Sequence, residues 1–375
     1  MGPLDRRFRC RRTGTEAASL LPFHPRPLDC AGVADFVAWG FTTGTRTLLA
    51  DVERVVTPWE LPSPAGPATA DRLWEHLRAA VAAHGDAWAA LSGGLDSRAI
   101  AAAAAGRVAT FGEADCADLP VATRVAAALD RPHTVTTLPG EAARLHEDRV
   151  FTASGGWGGP DAAPGAHTDT LWAAPTLLSG MSGDVIWGDT ALGGRTPDSR
   201  LRKLGVTAVG DPADAVPPPP SWAHPDSHGA WLSLWTRQAR VTWNGVLSRR
   251  PHTRVVPVCW EPRVLGLCLT MTAEQRSGRR LVRAMLARHA PTLAGIPTVR
   301  GCTYDLDRAL ATDPWWSAEL RRMADAPGLW TGMGLNPRGV ARILRLQARG
   351  TRRRAALVSR LRVLWRHAQL QGGWL

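Results

Sequence analysis

Apolar residues recur along this chain with two different periods, and their alternation predicts a layered unit of helices and strands. From Ala70 to His84, Leu73, Trp74, Leu77, Ala80 and Val81 fall at helical spacing and form one buried stripe. Ala87 to Leu91 then reads as a short buried strand, and Ser97 to Ala105 as an alanine-rich helix of high intrinsic propensity. Val108 to Phe111 predicts a second strand, Leu119 to Leu129 a second helix, and His133 to Thr136 a third strand. Strands alternating with helices imply crossover connections and a mostly parallel sheet.

The flanks are less regular. Val33 to Phe41 is a short apolar element, followed by Thr47-Leu48-Leu49 and by Val52 to Val56. Pro58 to Pro67 is a turn-rich linker, because proline removes amide donors and fixes backbone angles. Beyond Trp172, Trp231 to Leu247 and Arg279 to His289 read as helices, the second with Leu281, Val282, Met285 and Leu286 on one side. Asp211 to Pro220 is too rich in proline for regular structure and predicts a surface loop. Val340, Ile343, Leu344 and Leu346, then Leu357, Val358, Leu361, Val363, Leu364 and Trp365, alternate with arginines and predict two amphipathic helices with a very basic face. The expected organisation is an N-terminal segment 1–66, a central domain 67–335 and a basic helical tail 336–375.

Composition narrows the class. With 45% apolar and 21% charged residues over 375 positions, the chain has enough material for a sizeable core, which excludes a disordered protein. No run of residues is long and apolar enough for a membrane span, and Met1 to Arg7 lacks the apolar stretch of a secretory signal, so a soluble cytoplasmic protein is expected. The six cysteines include no C-x-x-C pair, which fits buried thiols better than zinc or disulfides. The net charge of +12 is uneven: Arg338 to Arg366 holds ten arginines and no acid. That face is either solvated or a docking surface for an acidic partner, and no nucleic-acid-binding motif accompanies it. Trp222, Trp231, Trp235 and Trp243 are read as packing residues, with a peptide channel as the alternative.

Chemistry concentrates between the first strand and the alanine-rich helix, at Ser92-Gly93-Gly94-Leu95-Asp96-Ser97. Two glycines allow a tight turn and close approach to a ligand, while Ser92, Ser97 and the helix's first amides offer donors. Such a nest binds a phosphate chain. An acid inside it repels the phosphates unless a divalent cation stands between, which marks Asp96 as a magnesium ligand. A second glycine-rich segment, Leu178 to Gly188, places Gly180, Gly183 and Gly188 around Asp184.

Ser92 to Ser97 resembles the S-G-G-x-D-S pyrophosphate loop of the ATP-pyrophosphatase superfamily, and its surroundings resemble the synthetase domain of asparagine synthetases. Leu178 to Gly188 is similar to that family's S-G-x-x-G-D-E-x-x-G-G loop, Thr110 to Glu113 with Asp118 and Arg124 to His133 to its second strand and following helix, and Asp35 to Pro58 to its interdomain linker. The likeness covers roughly residues 33–300. It implies an α/β fold of the adenine nucleotide α-hydrolase type, a parallel twisted sheet with helices on both faces, preceded by a truncated remnant of a glutaminase-like domain. It further implies ATP and Mg²⁺, the metal held by Asp96 and Asp184. The nucleotide would lie against Ser92, Gly93, Gly94, Asp96, Ser97 and Gly183, its adenine near Leu91, Phe111 and Gly112.

Three departures shape the functional expectation. Gly2 stands where the family's glutaminase nucleophile, a cysteine, is required, and only about 60 residues precede the synthetase region, so the amine is expected as free ammonia or within the substrate. The family's late lysine after an Ile-Pro turn is absent; Arg300, following Ile296-Pro297, is the candidate replacement. Thr253 stands where the family has a glutamate, leaving Glu261 or His252 as candidate bases. Relatives lacking glutaminase function include β-lactam synthetases and lasso peptide cyclases. The expected activity is therefore AMP-forming amide-bond closure on a peptide or small carboxylate, a macrolactam cyclase first. Such a cyclase implies a leader-peptide-binding protein and a protease as partners, and neither nucleic acid nor membrane. Ammonia-dependent asparagine synthesis and a catalytically degenerate binding protein are the rival expectations.

Overall fold

A small antiparallel sheet forms first: β1 (Arg7–Cys10), β2 (Glu16–Ala17) and β3 (Val52–Val55), in the order β2-β1-β3. Period-two alternation explains it, since Phe8 and Cys10 point into the core while Arg9 points out and pairs with Glu16. The structure, a computed structural model, describes residues 6–57, 59–168, 174–188, 199–206, 209–249, 252–299, 304–350 and 354–371. The apolar element expected at Val33 to Phe41 lies in the helix Cys30–Trp39, capped by Asp29, whose carboxylate accepts from Ala31 N, and ended by Gly40 in the left-handed conformation.

The second sheet has five parallel strands: β4 (Trp88–Ala90), β5 (Val108–Gly112), β6 (His133–Thr137), β7 (Thr176–Ser179) and β8 (Arg254–Pro257). Their order is β6-β5-β4-β7-β8, with Ala89 opposite Val108 on one side of β4 and Leu178 on the other. Helices Ala70–Ala82, Leu95–Ala103 and Asp118–Ala128 occupy the positions the periodicity predicts. β7 and β8 lie outside the three strands that the periodicity predicts, because four residues are too few to show a clear period.

Helices cover both faces of the sheet. Ala89, Leu91, Val108 and Leu178 face one side, where they meet the helices Ala70–Ala82, Leu95–Ala103, Pro262–Leu269 and Arg280–His289. Trp88, Ala90, Phe111, Leu177 and Val255 face the other. The element predicted from Trp231 to Leu247 is helical from His228, but Leu234–Thr242 is wound as a π-helix between the α-helical segments His228–Ser233 and Trp243–Leu247. Asp211 to Pro220 contains turns and no helix or strand. No helix of the described residues is long and apolar enough to cross a membrane.

The two C-terminal helices differ from each other. Pro337–Ala348 keeps arginines on an exposed face, whereas Ala355–Leu370 is buried on most sides against the N-terminal sheet and helix. Its basic residues are used internally. Arg360 Nη1 donates to the carbonyls of Val37 and Ala38 at 2.7 and 3.0 Å, closing the C-terminal end of Cys30–Trp39. The buried Arg362 guanidinium grips both carboxylate oxygens of Glu147 and also reaches Glu319. Counting arginines in sequence cannot distinguish such spent charges from solvated ones.

His367, on the same helix, is wholly buried. Its Nε2 lies 2.8 Å from the Gly156 carbonyl, which can only accept, so Nδ1 accepts from His24 Nε2 at 2.9 Å. Burial, with His24 and Arg366 adding, pushes its pKa from 6.5 down to about 3. Below pH 6.5 the unfolded chain takes up this proton and the folded chain does not, so stability falls as pH drops towards 3. By pH 5 this one group should remove about 2 kcal/mol of unfolding free energy. Denaturant titrations at pH 7 and pH 5 should show the fall, and His367→Gln should flatten it.

Candidate functional site

Chain order reverses across the sheet between β4 and β7, which are neighbours although separated in sequence. The carboxyl ends of two such strands form a crevice where α/β sheets bind ligands. Both glycine-rich segments leave the sheet there.

The first leaves β4 through Leu91, whose amide donates to Ala109 O at 2.8 Å and whose carbonyl accepts from Thr110 Oγ1 at 2.8 Å. Ser92 N donates to Ser97 Oγ at 3.0 Å, the two hydroxyls lie 2.8 Å apart, and Gly94 N donates to Ser92 Oγ at 3.2 Å. Gly94 is the N-cap of Leu95–Ala103, and no side chain caps it. That helix terminus therefore presents its dipole and first-turn amides at the loop. Gly93 has a tighter reason to be glycine than ligand approach alone. Its amide donates to Asp118 Oδ1 at 3.0 Å, its carbonyl accepts from Val299 N at 3.2 Å, and a Cβ would collide with both neighbours.

The second segment follows β7. A Cβ at Gly180 would lie 2.8 Å from the Asp96 carbonyl carbon, and one at Gly183 would lie 2.8 Å from both Cβ and Cγ of Asp96. The two loops are thus packed backbone to backbone, with Asp96 at the contact. Between these glycines, Ser182 adopts a left-handed φ of 69°, strained for a residue with a side chain. Its buried hydroxyl pins it, donating to Gln238 Oε1 at 2.9 Å and accepting from Trp260 Nε1 at 3.0 Å. From behind, buried Arg276 donates to the carbonyls of Val185, Ile186 and Cys268, fixing the short helix Gly183–Ile186 that carries Asp184.

Asp96 and Asp184 are close enough that each charge acts on the other. Burial raises the Asp96 pKa and Asp184 adds to it, while Arg279 and the Trp187 indole pull it down. Trp187 Nε1 donates to Asp96 Oδ1 at 2.8 Å, and Arg279 Nε forms an ion pair with the same oxygen at 3.3 Å. A partly buried carboxylate that feels the charge of a second is stabilised by a cation, and these hard oxygen donors suit magnesium. Among the described residues no group of three or more acids, histidines or cysteines could hold a metal alone. Phosphate oxygens would have to complete the shell, as magnesium prefers.

Several site contacts carried no sequence signal. Asp118, which belongs to the resembling segment after the second strand, fixes the Gly93 amide. Arg279 sits in the left-handed region at the head of Arg280–His289, a position that periodicity cannot distinguish. Arg98, only 1% exposed, donates to the carbonyls of Leu293, Ile296 and Pro297 and ties that turn to the helix Leu95–Ala103. The turn leads to Val299 on Gly93; Arg300 lies outside the described residues.

Of the other expected residues, Leu91 and Gly112 lie at the carboxyl edge of the sheet, and Gly112 O accepts from Leu138 N at 2.9 Å. Phe111 turns to the opposite face from Leu91, under the Arg249 guanidinium. Glu261 caps the helix Pro262–Leu269, its Oε2 accepting from the amides of Arg263 and Val264 at 2.9 and 3.0 Å. Thr253 is buried and His252 exposed. Trp231, Trp235 and Trp243 are buried, and Trp59 stacks on Trp231 and Trp260, which is packing.

The asparagine synthase family profile matches residues 70–292, from the helix before β4 to the helix after Arg279. No curated protein matches the chain. The matched stretch holds both loops, all five parallel strands and both aspartates, and spans more than half of the residues. On that match the chain belongs to the asparagine synthase family.

Proposed function

We propose that the protein joins a carboxylate to an amine through an acyl-adenylate, releasing AMP and pyrophosphate, with a peptide macrolactam as the product. Its family makes it an ATP-dependent ligase. The observation that carries the finer reading is the seating of Gly180 and Gly183 directly on Asp96, which puts two acids and a phosphate-type loop in one crevice.

In this scheme the outer two phosphates of ATP lie on Ser92 to Ser97, within reach of the two hydroxyls and the uncapped helix terminus. A substrate carboxylate oxygen attacks the α-phosphorus. The bond from that phosphorus to the bridging oxygen breaks, and pyrophosphate leaves. The amine then attacks the acyl carbon, loses its proton, and AMP departs with the carbon–oxygen electron pair. Magnesium held by Asp96 and Asp184 would neutralise charge on the departing pyrophosphate. Arg279, beside Asp96, supplies fixed positive charge, and Arg300, next in sequence to the Val299 that bonds Gly93, is the second proposed source. Glu261 has no role in the scheme, because its Oε2 is spent on two helix amides. An amine carried within the substrate gains an effective molarity on the order of 10⁵–10⁸ M, which favours ring closure over capture of free ammonia.

Purified protein with ATP, magnesium and a precursor peptide should release AMP and pyrophosphate in equal amounts. ADP with orthophosphate would contradict the scheme, and asparagine formed from aspartate and ammonia would replace the macrolactam product. Asp184→Ala should lower turnover by about 10²-fold or more while leaving the fold intact by circular dichroism. Gly183→Ala pushes a methyl group into Asp96 and should cost about 1–3 kcal/mol together with ATP affinity. Gly140→Ala, where a Cβ meets nothing within 4 Å, is the control and should change neither.

A further inference from the structure

The helix Pro337–Ala348 turns Val340, Ile343 and Leu344 into the core and leaves Arg338, Arg342 and Arg345 exposed, with Arg349 exposed just past its end. Spacings of four, three and four residues stack these arginines in one row about 16 Å long. A hollow of 730 Å³ lies on one flank of the row, towards Ala324 and Pro327. On the other flank a hollow of 360 Å³ opens towards Lys203, the one lysine of the chain. Arg338, Arg342 and Leu346 line both, so the row is a ridge between two wells.

Asp325 is the one acid in either lining. It ends the helix Pro314–Ala324 and holds Arg345 in a salt bridge of 2.7 Å. No acid among the described residues pairs with Arg338, Arg342 or Arg349. The fold gains nothing from their charge. Like charges three and four residues apart on a helix repel, and Arg338 stands in a first turn that holds no acid, where the helix dipole disfavours a cation. Ala355–Leu370 is the contrast, because its Arg360 and Arg362 are consumed by carbonyls and carboxylates inside the molecule. Uncancelled charge is thus confined to one face, and an acidic ligand would relieve both costs.

The row is longer than a small anion, and its wells admit side chains, so its shape calls for a chain. Grooves for single-stranded nucleic acid stack bases on aromatic rings, and neither lining contains one. A helix that binds a membrane surface inserts its apolar face into lipid, and here that face is buried in the protein. Carboxylate already meets arginine on this face at Asp325. We propose that the row and its wells form a docking surface for an acidic polypeptide segment of a partner protein. Its carboxylates lie on Arg338, Arg342 and Arg349, and its apolar side chains enter the wells beside Ala341 and Leu346. No residue of either lining belongs to a glycine-rich loop, so the surface recruits a partner without touching the nucleotide and does not depend on the ligase reading.

Fluorescein-labelled decaglutamate, titrated with the full chain and followed by anisotropy, is the probe. It should bind, raise the thermal midpoint of the protein, and lose affinity as salt is added. Arg338→Glu combined with Arg342→Glu should weaken binding about tenfold or more. Arg78→Glu combined with Arg263→Glu makes the same charge change on exposed arginines of two helices that cover the parallel sheet, and should alter binding less than about twofold. Because Arg338→Glu gives the first turn an acid, the thermal midpoint of the first variant should not fall, which separates lost binding from lost fold. Absence of decaglutamate binding, equal losses in the two double variants, or tighter binding of a ten-nucleotide oligothymidylate or of phosphatidylserine vesicles would each overturn the proposal.

Discussion

Two loops from neighbouring strands can meet in one crevice only if their backbones come closer than intervening side chains permit. That constraint governs this molecule. Gly180 and Gly183 press onto Asp96, and everything behind them serves to hold the approach. Arg276 ties down the carbonyls after Gly183, Trp260 and Gln238 pin Ser182 in a conformation it would not choose, and Asp118 fixes the amide of Gly93. Strain at Ser182 persists because its surroundings over-determine it. The aspartates are brought together by main-chain packing, and their own mutual repulsion is the cost.

Much of this was legible in the chain. The alternation of periods from Ala70 to Thr136 identified three strands and their helices within a few residues, because buried helices of ten or more residues and strands facing a core on both sides leave strong signatures. The two glycines of Ser92 to Ser97 marked a tight turn between strand and helix, and the structure has Gly94 as the N-cap of Leu95–Ala103. What stayed hidden were contacts distant in sequence. Asp118 carries part of the family resemblance but no sign of its bond to Gly93, while Arg98 and Arg276 look like surface arginines and Arg279 like a helix-flanking one. Their roles arise from carbonyls and carboxylates that only the fold brings near, and buried guanidinium groups carry no sequence mark of their burial. β7 and β8, four residues each, are recognisable only by the strands beside them. At Gly93 the fold adds a constraint the sequence does not show, since a side chain there is excluded by Asp118 and Val299.

The molecule has two large apolar clusters. One covers a face of the parallel sheet, and the other joins the N-terminal sheet to the C-terminal helices. Phe111 belongs to the edge of both the second cluster and the small cluster on the other face of the parallel sheet. A cavity of 510 Å³ floored by Ala90, Phe111, Leu177 and Val255 therefore lies at a seam, roofed partly by Tyr304, Leu306 and Ala355 from the C-terminal part. Arg360 and Arg362 lock that roof to Cys30–Trp39 and to Glu147, so the ends of the chain help bound a space whose floor is built from its middle.

The π-helical stretch Leu234–Thr242 sets the phase of one wall of that cavity. Winding more residues into each turn than an α-helix does shifts the angular position of every residue that follows. Gln238, inside the stretch, reaches Ser182, while Thr242 at its end and Gly245 and Arg249 after it line the cavity. In a relative shorter by one residue here and wound as a plain α-helix, the lost residue removes about 100° and the tighter winding adds rotation back, so the two changes oppose each other and the downstream wall stays near its present phase. A change in length without the matching change in winding would instead turn other side chains to the same floor, with both glycine-rich loops left untouched.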